Sequence, residues 1–245
     1  FAQKLRAHLE IVPVNQREAL NQAALIYESG RWDAFNAKLS GLAQAGVQDP
    51  WKLQVIGGLA ATTFEEAHRL SNMGSERNST AAMAWTARNL LELKVWSTYA
   101  EMSDLNMHRI FEDAGRDMME LSKKFAAEIG SRFPDDATPE HLSVSLAQLR
   151  ERAAHQGVED LDSKFKTVAS AAEEIGFAAD FASFNKYLSK FAHPTAMRIV
   201  LHFPENAENK LRGNIMGIGC LFFWEAFTSQ EQCLSRLDAA NSEAG

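Results

Sequence analysis

Apolar residues in this chain recur at spacings of three and four, and no stretch keeps up the alternation of apolar and polar residues that a strand needs. The pattern therefore predicts helices throughout. They are expected near residues 2–11, 15–29, 32–45, 50–72, 79–101, 104–129, 139–155, 159–175, 177–192 and 206–239. We predict an all-α fold, a multi-helix bundle of about ten helices around one main core.

Proline and glycine mark several helix boundaries. Asp49-Pro50 and Thr138-Pro139 each place a capping side chain before a proline at the first helical position, which favours a helix start. Four glycines follow helical patterns and are predicted to end them: Gly30, Gly130, Gly157 and Gly176.

The polar, proline-bearing segment 131–139 is the best candidate for a linker or a crossing loop. We nevertheless expect one continuous core in a helical bundle domain over residues 49–245, with a helical hairpin region over 1–48 packed on it. The reason is the last helix, which needs partners on several sides. It is apolar around Leu221, Phe222, Phe223, Trp224 and Phe227.

Composition narrows the class of protein. Of 245 residues, 46% are hydrophobic and 23% charged, as in ordinary soluble proteins, and the net charge of -7 weighs against a broad DNA-binding face. The longest apolar run, 215–224, is shorter than the roughly 20 residues of a membrane span. Two widely spaced cysteines, Cys220 and Cys233, are typical of a reducing compartment. We expect a cytoplasmic protein with no membrane partner, no cofactor and no metal site.

The helix predicted over 79–101 carries an unusual charge pair. Arg88 and Glu92 share a stripe with Trp85, while the opposite side of the helix is also apolar. The pair is therefore expected to be partly removed from water. Either the two side chains satisfy each other at i, i+4, or they orient a ligand or a catalytic group from a second helix.

The next helix is predicted to bury one apolar stripe and to expose its charges. The stripe is Met107, Phe111, Ala114, Met118, Leu121 and Phe125. This leaves Glu112 beside Arg116, and Asp113 beside Asp117. The charges form either a solvated face or, through Asp113 and Asp117 at i, i+4, a face for a metal or for acid/base chemistry, because carboxylates at that spacing repel unless a cation or proton separates them.

The helix predicted over 177–192 ends in chemically active side chains. Its core seam is Phe177, Phe181, Phe184, Leu188 and Phe191. Lys186, Ser189 and His193 lie on a different row, and Tyr187 lies at the edge of the seam. Pro194 fixes His193 at the helix end, where the negative end of the helix dipole favours its charged form. His193 either caps the last carbonyls or takes part in proton transfer.

Three segments carry a family resemblance: RNLLE at 88–92, FEDAGRD at 111–117 and SKFAHPT at 189–195. Together they resemble an uncharacterised group of bacterial all-helical proteins, distantly similar to ribonucleases of the HEPN type and to abortive-infection helical domains. The resemblance covers residues 50–200 and implies an all-helical fold. It also implies that Arg88, Glu92 and His193 are the residues to examine.

Two functional hypotheses follow, and the sequence does not decide whether the protein is an enzyme. The first is a binding or regulatory module, compatible with a homodimer, in which Arg88, Glu92 and His193 form a site for a small polar ligand.

The alternative is a metal-independent ribonuclease or phosphodiesterase of the HEPN-like kind. His193 would be the general acid or base, Arg88 would stabilise developing negative charge and Glu92 would orient Arg88. Tyr187 and Ser189 would position the scissile group. Lys186, Asp113 and Asp117 are further candidates for ligand binding under either hypothesis.

Overall fold

The computed structural model describes residues 1–73, 80–132, 144, 147–148, 150–151, 153–158, 160–193, 195, 200 and 203–244. Within these residues the chain is helical without any strand, which confirms the all-α prediction. The helices are α1 (Ala2–Arg6), a 3₁₀ turn (Val14–Gln16), α2 (Arg17–Glu28), α3 (Arg31–Ala45), α4 (Pro50–Met73), α5 (Thr80–Met102), α6 (Asp104–Arg132), α7 (Val168–Glu174), α8 (Ala178–Ala192) and α9 (Glu205–Ala244).

Most predicted helices agree with these bounds to within a few residues, but two are shorter than predicted. α1 ends at Arg6, and residues 7–11 form turns instead of helix. Residues 160–167 are not helical. The Asp160 carboxylate accepts hydrogen bonds from the backbone N–H groups of Asp162 and Ser163, both at 3.1 Å, and this local turn competes with a helix.

The glycine predictions hold at three of four positions. Gly30, Gly157 and Gly176 have φ of 73°, 80° and 71°, the left-handed conformation that terminates a helix. Gly130 was wrongly predicted as an end, because α6 continues through it to Arg132. The Thr138-Pro139 helix start, most of the predicted linker and most of the helix over 139–155 lie outside the described residues.

The chain forms two compact units. Unit 1 comprises residues 1–104 and 168–245, and unit 2 comprises residues 105–167. The predicted division into 1–48 and 49–245 stays a prediction.

The core of unit 1 is built around the 40-residue helix α9, which packs on α5, α4 and α2. Its aromatic residues Phe222, Phe223 and Phe227 are all at most 1% exposed, as the apolar pattern predicted. Phe64 of α4 meets Phe223 and Phe227 at ring-centroid distances of 5.2 and 5.4 Å. Each such side chain contributes roughly 1.5–3 kcal/mol by leaving water.

A fully buried polar contact crosses this core. The Gln230 amide nitrogen of α9 donates to the hydroxyls of Thr63 in α4 and Ser97 in α5, both at 2.9 Å, and all three residues are at most 1% exposed. The Gln230 Oε1 atom has no partner there. The contact ties three helices together in one register.

Unit 2 corrects the prediction for α6. Met107 is buried as expected, but Met118, Leu121 and Phe125 are 52%, 65% and 58% exposed. The buried side instead carries Met119, which clusters with Ala153, Val158 and Leu161.

Hydrogen bonds made by polar side chains on that side of α6 explain why it is the buried one. Arg116 donates from Nε to the Asp160 carbonyl at 2.9 Å, and the Asp113 carboxylate accepts the Lys166 backbone N–H at 2.8 Å. These bonds draw residues 160–167 onto the side of α6 that we predicted to face water. Arg116 and Asp113 are accordingly only 5% and 8% exposed.

Candidate functional site

The predicted site residues of unit 1 lie along the contact between α5 and α8. The contacts between them pair rising residue numbers in α5 with falling ones in α8, so the two helices are antiparallel. The pairs along this seam are Trp85 with His193, Arg88 with Asn185, and Lys94 with Phe177.

Arg88 is held in place from two sides. Its Nη2 lies 3.1 Å from Glu92 Oε1, the predicted i, i+4 pair, and its Nε donates to Asn185 Oδ1 at 2.8 Å. Its guanidinium carbon lies 5.7 Å from the centre of the Trp85 ring. An arginine has five N–H donors, and these two contacts use two of them. The side chain is therefore oriented while keeping donors for a ligand.

His193 lies where the sequence placed it, directly after the last residue of α8. Its backbone is extended, with φ of -106° and ψ of 157°, and its N–H donates to the Ser189 carbonyl at 3.3 Å. The imidazole packs edge-on against the indole of Trp85, at 5.4 Å between ring centres and 89° between planes. Trp85 is 46% exposed. Arg88 and His193 thus contact the same exposed aromatic side chain.

The other candidates on α8 have less connection to this cluster. Tyr187 is half-buried and packs on Phe191 at 5.2 Å, and its burial raises the pKa of its hydroxyl. Ser189 is half-buried, and Lys186 is exposed. Among the described residues, none of the three donates a side-chain hydrogen bond to Arg88 or Glu92. Lys186 nevertheless shares an outer row with Lys190 and His193 at spacings of four and three, which makes this edge of α8 locally basic.

Asp113 and Asp117 belong to unit 2 and do not form the shared carboxylate face that we considered. The Asp113 carboxylate is engaged by Arg116 at 2.8 Å, by Arg109 at 3.2 Å and by the Lys166 backbone N–H. Asp117 is exposed. Within the described residues, no group of three or more histidine, cysteine, aspartate or glutamate side chains is arranged to hold a metal ion.

Sequence reasoning missed a buried lysine on the same seam. Lys94 is 9% exposed, its Nζ lies 3.2 Å from the centre of the Phe177 ring, and Glu225 Oε2 is 4.0 Å away. Burial lowers the pKa of Lys94, and the charges of Glu225 and Asp180 oppose that change. Burial likewise raises the pKa of Glu225. The signal was present in the sequence, because a helix predicted to be apolar on opposite sides leaves little room for a solvated lysine.

Comparison with known proteins adds no relatives to this description. No family model matches the chain, and neither the curated proteins nor the solved structures gave a match. The resemblance to bacterial helical proteins and to HEPN-type domains therefore stays a prediction. In the described helices we also find no segment with the length and hydropathy of a membrane span.

Proposed function

We propose that this protein is a binding module that holds a small, polar, negatively charged ligand at the cluster of Trp85, Arg88, Glu92 and His193. The observation that supports it is the shared contact of Arg88 and His193 with the exposed Trp85 ring. Arginine provides planar paired donors for carboxylate or phosphate, and the indole offers a surface for the rest of a ligand.

The orientation of Arg88 supports the same proposal. Asn185 and Glu92 fix its side chain before any ligand arrives, so less rotamer freedom is lost on binding. Glu92 also offsets part of the arginine charge, which favours a ligand that hydrogen-bonds over one bound by charge alone. Lys186 lies on the adjoining basic row and adds to the local positive potential.

The test is a thermal-shift screen of the purified protein against nucleotides and carboxylate or phosphate metabolites. A ligand present at about 100 times its dissociation constant stabilises the folded state by about 2.7 kcal/mol, which corresponds to roughly 5–10 °C in a chain of this size. We expect Arg88→Gln and Trp85→Leu to abolish the shift produced by any member that binds.

Arg69→Gln is the matched control. Arg69 also pairs with a glutamate at i, i+4, here Glu65, and with Glu66, and it lies on α4, which contributes no residue to the proposed site. This variant should keep the full shift. The proposal fails if no compound shifts the wild type at millimolar concentration, or if Arg88→Gln responds as the wild type does.

A second function, metal-independent cleavage of RNA, draws on one specific observation. An exposed imidazole, the side chain that most often serves as general acid or base, and a guanidinium both contact Trp85. The assay is cleavage of single-stranded RNA in the presence of chelator by the wild type and by His193→Ala. Cleavage by the wild type alone supports this function; equal rates, or no cleavage by either, exclude it.

A further inference from the structure

α6 carries an apolar stripe that faces away from the core of its own unit. The stripe consists of Ala114, Met118, Leu121 and Phe125, at spacings of four, three and four. Its three large side chains are between 52% and 65% exposed, while Met119, one position along from Met118, is 1% exposed. Contiguous exposed apolar side chains of this kind mark a surface that another molecule covers.

The stripe is also the floor of a groove. Phe165, itself 40% exposed, stands beside α6. Together with Ala114, Met118, Leu121 and the flanking charges it lines an open groove of about 540 Å³. Six of the seven described residues that line the groove lie on α6, at positions 114–124, so another helix laid along α6 could cover it. The spacing of threes and fours is that of a helix–helix seam in a coiled coil.

Two charged residues on one edge of the stripe indicate that the partner helix is a second copy of α6. Asp117 and Lys124 lie seven residues apart, two helical turns, and both line the groove. Seven residues is the coiled-coil repeat, so the two occupy equivalent positions along the edge. In a parallel pair this edge of one helix would face the opposite edge of the other, so Asp117 would meet the uncharged Ser122 and gain no ion pair.

An antiparallel second copy of α6 does form ion pairs along this edge. A twofold axis near the middle of the stripe sets Asp117 of each copy against Lys124 of the other, which makes two ion pairs from one arrangement. The same axis sets Met118 opposite Leu121, and the small Ala114 opposite the large Phe125. At each end of the contact the small Ala114 thus leaves room for the large Phe125.

We propose that the α6 stripe is a self-association surface, and that two copies of this chain pair through it as antiparallel helices. The surface belongs to unit 2 and uses none of the ligand-site residues on α5 and α8, so this proposal stands or falls separately from the proposed ligand site. The ion pair between Lys124 and Glu120 within each helix is exposed and adds little, so it does not compete strongly with a contact to the second copy.

The test is sedimentation equilibrium of the full chain over a wide concentration range. The wild type should show a concentration-dependent dimer. Leu121→Glu should be monomeric throughout, with an unchanged circular dichroism spectrum, because Leu121 is 65% exposed and contributes little to the folded monomer. Val14→Glu is the control: Val14 is an exposed apolar residue of unit 1, 77% exposed, and its replacement should leave the dimer intact.

Charge exchange tests the direction of the helices. Asp117→Lys and Lys124→Asp should each weaken the dimer by roughly tenfold, and the double variant D117K/K124D should recover the wild-type affinity. A wild type that stays monomeric, or a Leu121→Glu variant that still dimerises, overturns the proposal. A double variant no tighter than the single variants overturns the antiparallel arrangement.

Discussion

Gly213 of α9 is expected to tolerate no side chain, although it lies inside a helix where alanine is normally the better residue. A Cβ atom at this position would lie 1.7 Å from the Ile11 carbonyl oxygen and 3.2 Å from the Val12 backbone nitrogen. Alanine gains about 1 kcal/mol over glycine in a helix interior, but overpacking against fixed atoms costs typically 1–3 kcal/mol, and a backbone oxygen cannot rotate away. Val12 is 1% exposed, so displacing this segment also uncovers a buried side chain.

We therefore expect Gly213→Ala to lose up to about 2 kcal/mol of stability, or as much as roughly 4–8 °C in melting temperature. Gly58→Ala in α4 is the matched control, because a Cβ there meets nothing within 4 Å and should gain about 1 kcal/mol. Gly219→Ala should fall between them, since its Cβ would meet side chains and no backbone atom: the flexible end of Leu70 and, at 3.4 Å, the Cβ of Ala87. The assay is thermal unfolding followed by circular dichroism. If Gly213→Ala melts as high as Gly58→Ala, the close approach of residues 11–12 to α9 is wrong.

Three further outcomes follow from buried polar groups. Burial lowers the pKa of His8, although a hydrogen bond with the Ser71 backbone opposes that change. His8 therefore stabilises the fold fully above pH 6.5, and this contribution is lost as the pH falls through the lower pKa of the folded state. His8→Gln should reduce the loss of stability on acidification, measured by urea unfolding at several pH values. Gln230→Met should cost about 1–3 kcal/mol in denaturant titrations, because the buried Thr63 and Ser97 hydroxyls lose the donor of their hydrogen bonds. No loss of stability would show that the amide contributes nothing to the core. Burial raises the pKa of Cys220 to about 12 and that of Cys233 to about 11, so neither thiol should react with a thiol reagent at pH 8 until denaturant is added.

The fold could be predicted where the spacing of apolar residues allows only one side of a helix to be buried. Phe181, Leu188 and Phe191 of α8 are all buried, as their spacing indicated, and so are Phe223 and Phe227 of α9. The pattern failed where short-range hydrogen bonds compete with a helix. The Asp160 side chain holds a turn in a stretch whose apolar spacing alone favoured a helix.

Only those features of the candidate site that lie within one helix could be predicted from the sequence. Arg88 and Glu92 pair at i, i+4 as their spacing requires, and His193 ends α8 as its following proline requires. Helix spacing carries no information about which residues of a second helix arrive opposite, so Asn185 and the contact of His193 with Trp85 had to come from the structure.

α6 shows most clearly what a periodic pattern does and does not establish. The spacing of Met118, Leu121 and Phe125 correctly defines an apolar face, but it does not say which element covers that face. Inside unit 2, buried Arg116 and Asp113 bind the backbone of the following segment, and those bonds place the covering residues on the neighbouring side of the helix. A chain that leaves three large apolar side chains in water has a reason to place a second α6 against them, and the opposed charges of Asp117 and Lys124 fit that arrangement in the antiparallel direction only.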